Sequence, residues 1–393
     1  MTNLSILFQV PKDLRIFLIL IIIYKFALCT NRIKMKTKIY INMSLSGLSD
    51  LALAKDKTFV IIDNNLKHLS SFFKDFPQIS FVSGEQNKVM DTIGEIAGKL
   101  LHLGADRDAL IIGVGGGITT DITGFISPIY KRGVKFAFVP TTLLSQVDAS
   151  IGGKNGVNFQ SYKNILGTIT QPEWIYICPE MLSTLPQDEF KAGIAEVLKT
   201  FILFDKTSYS NAVEYFSAVA KEYAAAAGTG ITYGEIATRV DMEKLCEIIG
   251  KCARYKCGVV ERDEFEKGER RLLNLGHTFA HSIEKLTGGE ISHGYAVAIG
   301  IVIAARLACS MGMAKEKFAG MLAEDLRMCG LPATLQECSV TSHLKIRDLA
   351  DAVKKDKKVT GNNIHFILPK GLEDVEDVII PIETIKTICN DLC

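Results

Sequence analysis

From Lys57 onward the chain alternates short, almost wholly apolar runs with stretches whose apolar residues recur every three to four positions. Runs of the first kind predict strands buried on both faces, and the intervening periodicity predicts helices, which is the pattern of a parallel α/β sheet. Phe59-Val60-Ile61-Ile62 is the first such strand, ending in Asp63-Asn64-Asn65. Ser83-Gly84-Glu85 and Lys88 then open a helix running through Ile93 and Leu100, and further strands are expected over 109–114 and 135–139.

The residues just past each predicted strand carry the first candidate chemistry, because ligands of open parallel sheets gather at the carboxyl ends of strands. Asp63 is placed to bind a ribose. Glu85 and Lys88, three apart, can face the same ligand or serve as ordinary first-turn helix charges. The strand over 109–114 runs into Gly115-Gly116-Gly117, with Thr119, Thr120 and Asp121 after it. Three glycines let the backbone approach a pyrophosphate closely, and the following helix N-terminus supplies N–H donors; tight turns use the same residues. Thr141 and Thr142, at the end of the 135–139 strand, put hydroxyls where the nicotinamide side of a dinucleotide could lie. Residues 146–156 read as a polar, glycine-rich loop containing Asp148 and Lys154, followed by Tyr162-Lys163-Asn164. Two lysines and an asparagine on flexible backbone suit an anionic, oxygen-rich small molecule, and a solvated loop is the alternative.

The densest chemistry lies at 270–293, which holds three of the chain's seven histidines. His277 and His281 stand four apart in a run of helical apolar spacing, so both imidazoles project from one face. His293 follows the Gly288-Gly289 break. Histidines so grouped, with basic residues before them, point to a metal or catalytic site. Spacing alone pairs His277 with His281; three separately hydrogen-bonded histidines would be the bland alternative.

Composition narrows the class. At 393 residues the chain is long enough for two domains. With 45 basic and 44 acidic residues it has no global attraction for nucleic acid or anionic membrane. Ten cysteines without a CxxC pair read as free thiols of a reducing cytoplasm. Residues 16–24 form a continuous apolar run behind Lys12 and Arg15, in the manner of a secretory signal, but the run is short of the roughly 20 residues that span a bilayer, and no small-residue cleavage site follows it. A dispensable extension ahead of an internal start at Met35 or Met43 is the preferred expectation, with membrane attachment disfavoured.

GGGITTDITGF, YKRG, VPTTLLSQVDASIGGKNGVN, YKNILG, LPQDEFKAGIAEVLK and LLNLGHTFAH…SHGYAVAIG, in this order and spacing, resemble 3-dehydroquinate synthase, within the wider sugar-phosphate cyclase superfamily. The likeness spans about residues 45 to 390 and rests on six motifs in register. It implies a Rossmann-like, NAD-binding α/β domain over 46–180 and a mostly α-helical, metal- and substrate-binding domain over 181–393, with 1–45 an extension of unassigned role. Helical spacing over Gln187–Phe204, 244–260 and 295–309 agrees with that layout.

The resemblance further implies a phosphorus–oxygen lyase of the shikimate pathway, feeding chorismate and aromatic amino acid biosynthesis. Such an enzyme converts 3-deoxy-D-arabino-heptulosonate 7-phosphate to 3-dehydroquinate and phosphate by transient oxidation with NAD, phosphate elimination, reduction, ring opening and aldol closure. By resemblance Glu196, His277 and His293 ligate Zn²⁺ or Co²⁺, and His281 is left as a catalytic group together with Lys199, Asp148 and Lys163. Lys154, Asn164, Asn274 and Lys357 are expected around the phosphate, and Lys256 and Arg270 at the carboxylate. Arg132 is expected to reach a neighbouring subunit's phosphate, which implies a homodimer. NAD is expected on Asp63, Glu85, Lys88, Gly115, Gly116, Gly117, Asp121, Thr141, Thr142, Asp148, Lys163 and Thr184. Thr120 stands where such proteins generally have glycine and is expected to crowd the phosphate turn; Ser127-Pro128-Ile129 replaces a run of small residues. Another sugar-phosphate cyclase and a metal-dependent polyol dehydrogenase are the rival functions.

Overall fold

The computed structural model describes residues 37–51, 53–160, 162–353, 359–360 and 363–381. Lys357 and residues 1–36, with the apolar run of the N-terminal extension, lie outside them. The strands of the first half are β1 (Lys38–Ile41), β2 (Thr58–Asp63), β3 (Gln78–Phe81), β4 (Leu110–Gly115), β5 (Lys135–Pro140), β6 (Lys154–Phe159), β7 (Tyr162–Ile169) and β8 (Trp174–Ile177). Six of them form one sheet in the order β1-β8-β5-β4-β2-β3, with every neighbouring pair parallel.

The apolar runs predicted strands because both faces of this sheet are covered. Phe59 and Ile61 enter one hydrophobic core, while Val60 and Ile62 enter a second on the opposite face. Burying a side chain of this size stabilises by about 1.5–3 kcal/mol. Helices α1 (Met90–His102) and α2 (Gly117–Ile129) connect strands of the sheet. Strand order reverses between β2 and β4, so the carboxyl ends holding Asp63 and Gly115 flank the crevice where open α/β sheets bind ligands.

Three local expectations are corrected. Residues 38–41, assigned to the extension, form the edge strand β1, paired with β8. Lys88 does not open a helix: a short 3₁₀ turn covers Glu85–Asn87 and α1 begins at Met90. The polar stretch after β5 is ordered rather than a flexible loop, since a single π turn spans Ser145–Ala149 and β6 and β7 pair as an antiparallel hairpin. Buried Asn155 and Val157, alternating with exposed Lys154, give β6 its inward face.

The second half is built from α3 (Gln187–Phe204), α4 (Lys206–Ala225), α5 (Tyr233–Val240), α6 (Met242–Arg262), α7 (His277–Leu286), α8 (His293–Ser310), α9 (Glu316–Met328) and α10 (Ile346–Val353). Asp205, Thr232 and Asp241 cap α4, α5 and α6 by accepting from backbone N–H groups in the first turn. Helical periodicity did not announce the small antiparallel sheet β9 (Val359–Thr360), β10 (Asn363–Gly371) and β11 (Asp374–Pro381). Among the described residues α8 alone is long and apolar enough to cross a bilayer, but 72% of it is buried, as a core helix is.

Two glycines set the spacing on which the site depends. A Cβ on Gly294 would fall 2.2 Å from the Cα of Ala192, so the start of α8 lies against the backbone of α3. That contact brings His293 to the turn of α3 carrying Glu196. Gly276, left-handed at φ 78°, turns the chain from the Glu269–Asn274 3₁₀ turn into α7, and so aims His277 inward.

Candidate active site

Glu196, His277 and His293 each offer a ligand atom within 4.8 Å of the others. Glu196 comes from the buried middle of α3, His277 from the first residue of α7 and His293 from the first residue of α8. Nε2 of each histidine lies 3.6 Å from Glu196 Oε1. His281, one turn along α7, sets its ring edge-on to His277 at 5.7 Å and stands outside the triad, so the pairing that spacing alone favoured is not the one that converges.

These residues fit a divalent cation. Both carboxylate oxygens of Glu196 are buried without a well-aligned hydrogen bond, although Lys199 Nζ lies 2.5 Å from Oε2. Burial alone would push the Glu196 carboxyl up; Lys199 and His293 hold it down, to about 2. Burial works to lower the His293 imidazole, but Glu196 and Glu284 raise it to about 10. A cation at Nε2 would supply that positive charge in place of a proton. One carboxylate and two imidazoles leave coordination positions open, as catalytic zinc sites do.

Lys199, Lys256 and Arg270 are all buried near this centre. Lys199 stays protonated, because Glu196 and Asp148 outweigh the burial that opposes it. Lys256 Nζ donates to Asp148 Oδ1 at 2.7 Å and to its backbone oxygen at 2.6 Å, holding that carboxylate below its usual range despite burial. Arg270, 4% exposed, donates to the carbonyls of Glu264 and Gly152. Asn274 and Lys154 both bind the carboxylate of Glu266, itself in left-handed backbone at φ 56°. No motif singled out Glu266; its place in the acidic stretch before Arg270 was the only available signal. Two residues expected around a phosphate thus converge on an anion supplied by the chain.

At the sheet, Lys88 bridges Asp121 and Asn164 Oδ1. Asn158 accepts from the Asn164 backbone and donates to Glu85, so Glu85, Lys88, Asp121 and Asn164 form one polar chain. Asp63 accepts from Ser83 and from the backbone of Asn65. The turn Gly115–Gly117 fits a pyrophosphate: added Cβ atoms would meet Thr119, Thr142 and Ala149, and no side chain caps the N-terminus of α2. Thr141 N donates to Gly115 O, joining that turn to the end of β5. Thr142 hydrogen-bonds Ser145. Thr120 is buried and donates to Gly117 O within its own helix, which turns its hydroxyl back onto the backbone.

Three candidates remain. Thr184 is exposed in the turn after β8. Lys163 approaches Glu284 at 3.7 Å. Arg132 is exposed in the turn Tyr130–Arg132, where it and Lys131 both adopt left-handed backbone.

Family models for the 3-dehydroquinate synthase N-terminal and C-terminal domains match residues 78–192 and 193–359. The 3-dehydroquinate synthase of Acidithiobacillus ferrooxidans (strain ATCC 53993 / BNL-5-31) is 36% identical over 337 residues, 83% of this chain and 86% of that one. That of Pyrococcus furiosus is 39% identical over 351 residues, 86% and 95% of the two chains. The fold matches the valiolone synthase ValA of Streptomyces hygroscopicus, solved with NAD⁺ and Zn²⁺, at TM-score 0.76 and 24% identity over 92% of this chain and 98% of that one. A probable glycerol dehydrogenase of Sinorhizobium meliloti matches more distantly, at TM-score 0.56 and 16% identity over 85% and 90%. Six motifs in register, both domain models end to end and relatives at 36–39% identity over most of their length agree: the chain belongs to the 3-dehydroquinate synthase family.

Proposed function

We propose that this chain converts 3-deoxy-D-arabino-heptulosonate 7-phosphate to 3-dehydroquinate and phosphate, as a lyase of aromatic biosynthesis. The observation that carries this conclusion is the company kept by the Glu196–His277–His293 cluster: Lys199, Lys256 and Arg270 are buried beside it, and Lys154 and Asn274 already hold a carboxylate. Lys199 and Lys256 are matched by Glu196 and Asp148, but Arg270 donates to backbone carbonyls and Lys154 is held by a Glu266 that a ligand can displace. A substrate carboxylate and phosphate therefore have cations to meet, whereas a neutral polyol has no charge to offer them.

Glu196, His277 and His293 would hold Zn²⁺ or Co²⁺, and the Gly115–Gly117 turn with Asp63, Glu85, Lys88, Asp121, Thr141, Thr142 and Thr184 would hold NAD. When bound, the dinucleotide accepts and returns a hydride and the cation polarises substrate oxygens. Lys256 and Arg270 orient the substrate carboxylate. Lys154, Asn164 and Asn274, with Lys357, bind the phosphate, which must displace the Glu266 carboxylate. By holding the phosphate dianion they stabilise the charge that builds as it leaves. His281, close to the cluster but outside it, moves a proton on substrate oxygen, and Asp148, Lys163 and Lys199 fix the polarity of the reacting face. Incubating the protein with the heptulosonate phosphate, NAD⁺ and Zn²⁺ should release phosphate without lasting NADH absorbance. His281→Ala should keep its metal and lose turnover by about 10²–10⁴-fold. Steady NADH formation from glycerol would instead establish a dehydrogenase.

The protein also acts as a homodimer in this proposal. Tyr162, Ile165, Leu166 and Ile169 on β7, with Phe159 on β6, leave large apolar side chains exposed on the hairpin. Arg132 is held outward on strained backbone. Leu166→Asp should shift sedimentation toward monomer, and an unchanged dimer would exclude the hairpin as the contact. A reducing cytoplasm suits the seven free cysteines among the described residues.

A further inference from the structure

Glu284 belongs to no motif and yet touches both halves of the site. It lies on α7 two turns beyond His277, with its side chain 12% exposed. Its Oε1 is 3.3 Å from His293 Nδ1 and 3.7 Å from Nζ of Lys163 on β7. The other ring nitrogen, Nε2, faces Glu196 Oε1 at 3.6 Å. A neutral imidazole that presents a lone pair at Nε2 must carry its hydrogen at Nδ1, and an N–H turned toward the protein needs an acceptor there. Glu284 is the acceptor in reach. The same oxygen that meets His293 also meets a lysine of the β6–β7 hairpin, so the sheet half and the helical half share one carboxylate.

We propose that Glu284 is a positioning residue: it accepts the Nδ1–H of His293, turns Nε2 toward Glu196 and His277, and ties Lys163 to the same point. This inference rests on Glu196, His277 and His293 being the metal ligands. A hydrogen-bond acceptor behind a ligating imidazole fixes the ring and its tautomer, and loss of that acceptor weakens metal binding by about 10–100-fold.

The test is metal affinity, measured without turnover by competition of the folded protein with a chelator, using Zn²⁺ and Co²⁺ in turn. Glu284→Ala should bind each metal at least about tenfold more weakly and alter the visible Co²⁺ spectrum, with NAD affinity nearly unchanged. Glu284→Gln, which keeps an acceptor oxygen at the same reach, should stay within a few-fold of the parent. Should the alanine variant not fold, Glu284→Asp takes its place, because its carboxylate is one methylene short of Nδ1 and the same loss is expected. Affinity within twofold of the parent in the alanine or aspartate variant, or a glutamine variant as weak as alanine, would overturn the proposal. Glu196→Gln run in parallel separates the two ideas: if it too binds metal normally, the ligand assignment has failed, and if it alone loses metal, only the role of Glu284 has.

Discussion

Glu196→Gln should leave the protein without tightly bound metal and with turnover reduced by about a thousandfold or more. A bound cation contributes several kcal/mol to stabilising developing charge on oxygen, and each 1.36 kcal/mol is a factor of ten in rate. The same substitution should unfold the metal-free protein more easily. Lys199 and Glu196 are 2% and 1% exposed, and removing one partner of a buried pair costs about 3–5 kcal/mol, because the other charge is left without compensation. Metal analysis after dialysis, turnover at saturating substrate and urea unfolding of the apoprotein check the three parts separately. Metal retained at one equivalent would exclude Glu196 as a ligand.

Asp148→Ala is expected to have the second largest effect, through Lys256. That ammonium takes both its acceptors from Asp148, and the substitution removes the charged one. A loss of about 3–5 kcal/mol at pH 7 is expected in urea unfolding, with turnover lower by about two orders of magnitude or more. The pair also sets an acid limb. Burial pushes the Asp148 carboxyl up, but Lys256 holds it below 3.8 in the folded protein. A depressed carboxylate binds fewer protons folded than unfolded, so its contribution is full above the unfolded value near 3.9 and is lost as pH falls through the lower folded value. In Asp148→Ala that limb should flatten below about pH 4. A variant as stable as the parent at pH 7, with the acid limb intact, would show that the pair is not structural.

How much of the fold is legible in the chain depends on the range of the interaction. The buried strands at Thr58–Asp63, Leu110–Gly115 and Lys135–Pro140 can be read because both sheet faces are covered, which leaves a continuous apolar run as the local signature. Helix α3 is legible to the residue for a similar reason. Edge strand β1 escapes because only its pairing with β8, more than 130 residues away, makes it a strand. The β6–β7 hairpin escapes because β7 is exposed along almost all its length, so no alternation marks it.

The site divides in the same way. By itself the amino-acid sequence determined the periodicities, the glycine turn, the kinds of chemical group present and, through six motifs in register, the family. It could not say that His293 rather than His281 joins His277 against Glu196, since an i, i+4 spacing favours the pair that does not converge. Gly294 decides that, by letting α8 lie on the backbone of α3. Nor could it show Glu266 drawing Lys154 and Asn274 together, or Glu284 joining His293 to Lys163. Those contacts are set by helix packing and hairpin placement, and a partner brought close only by the folded chain leaves no regular spacing behind.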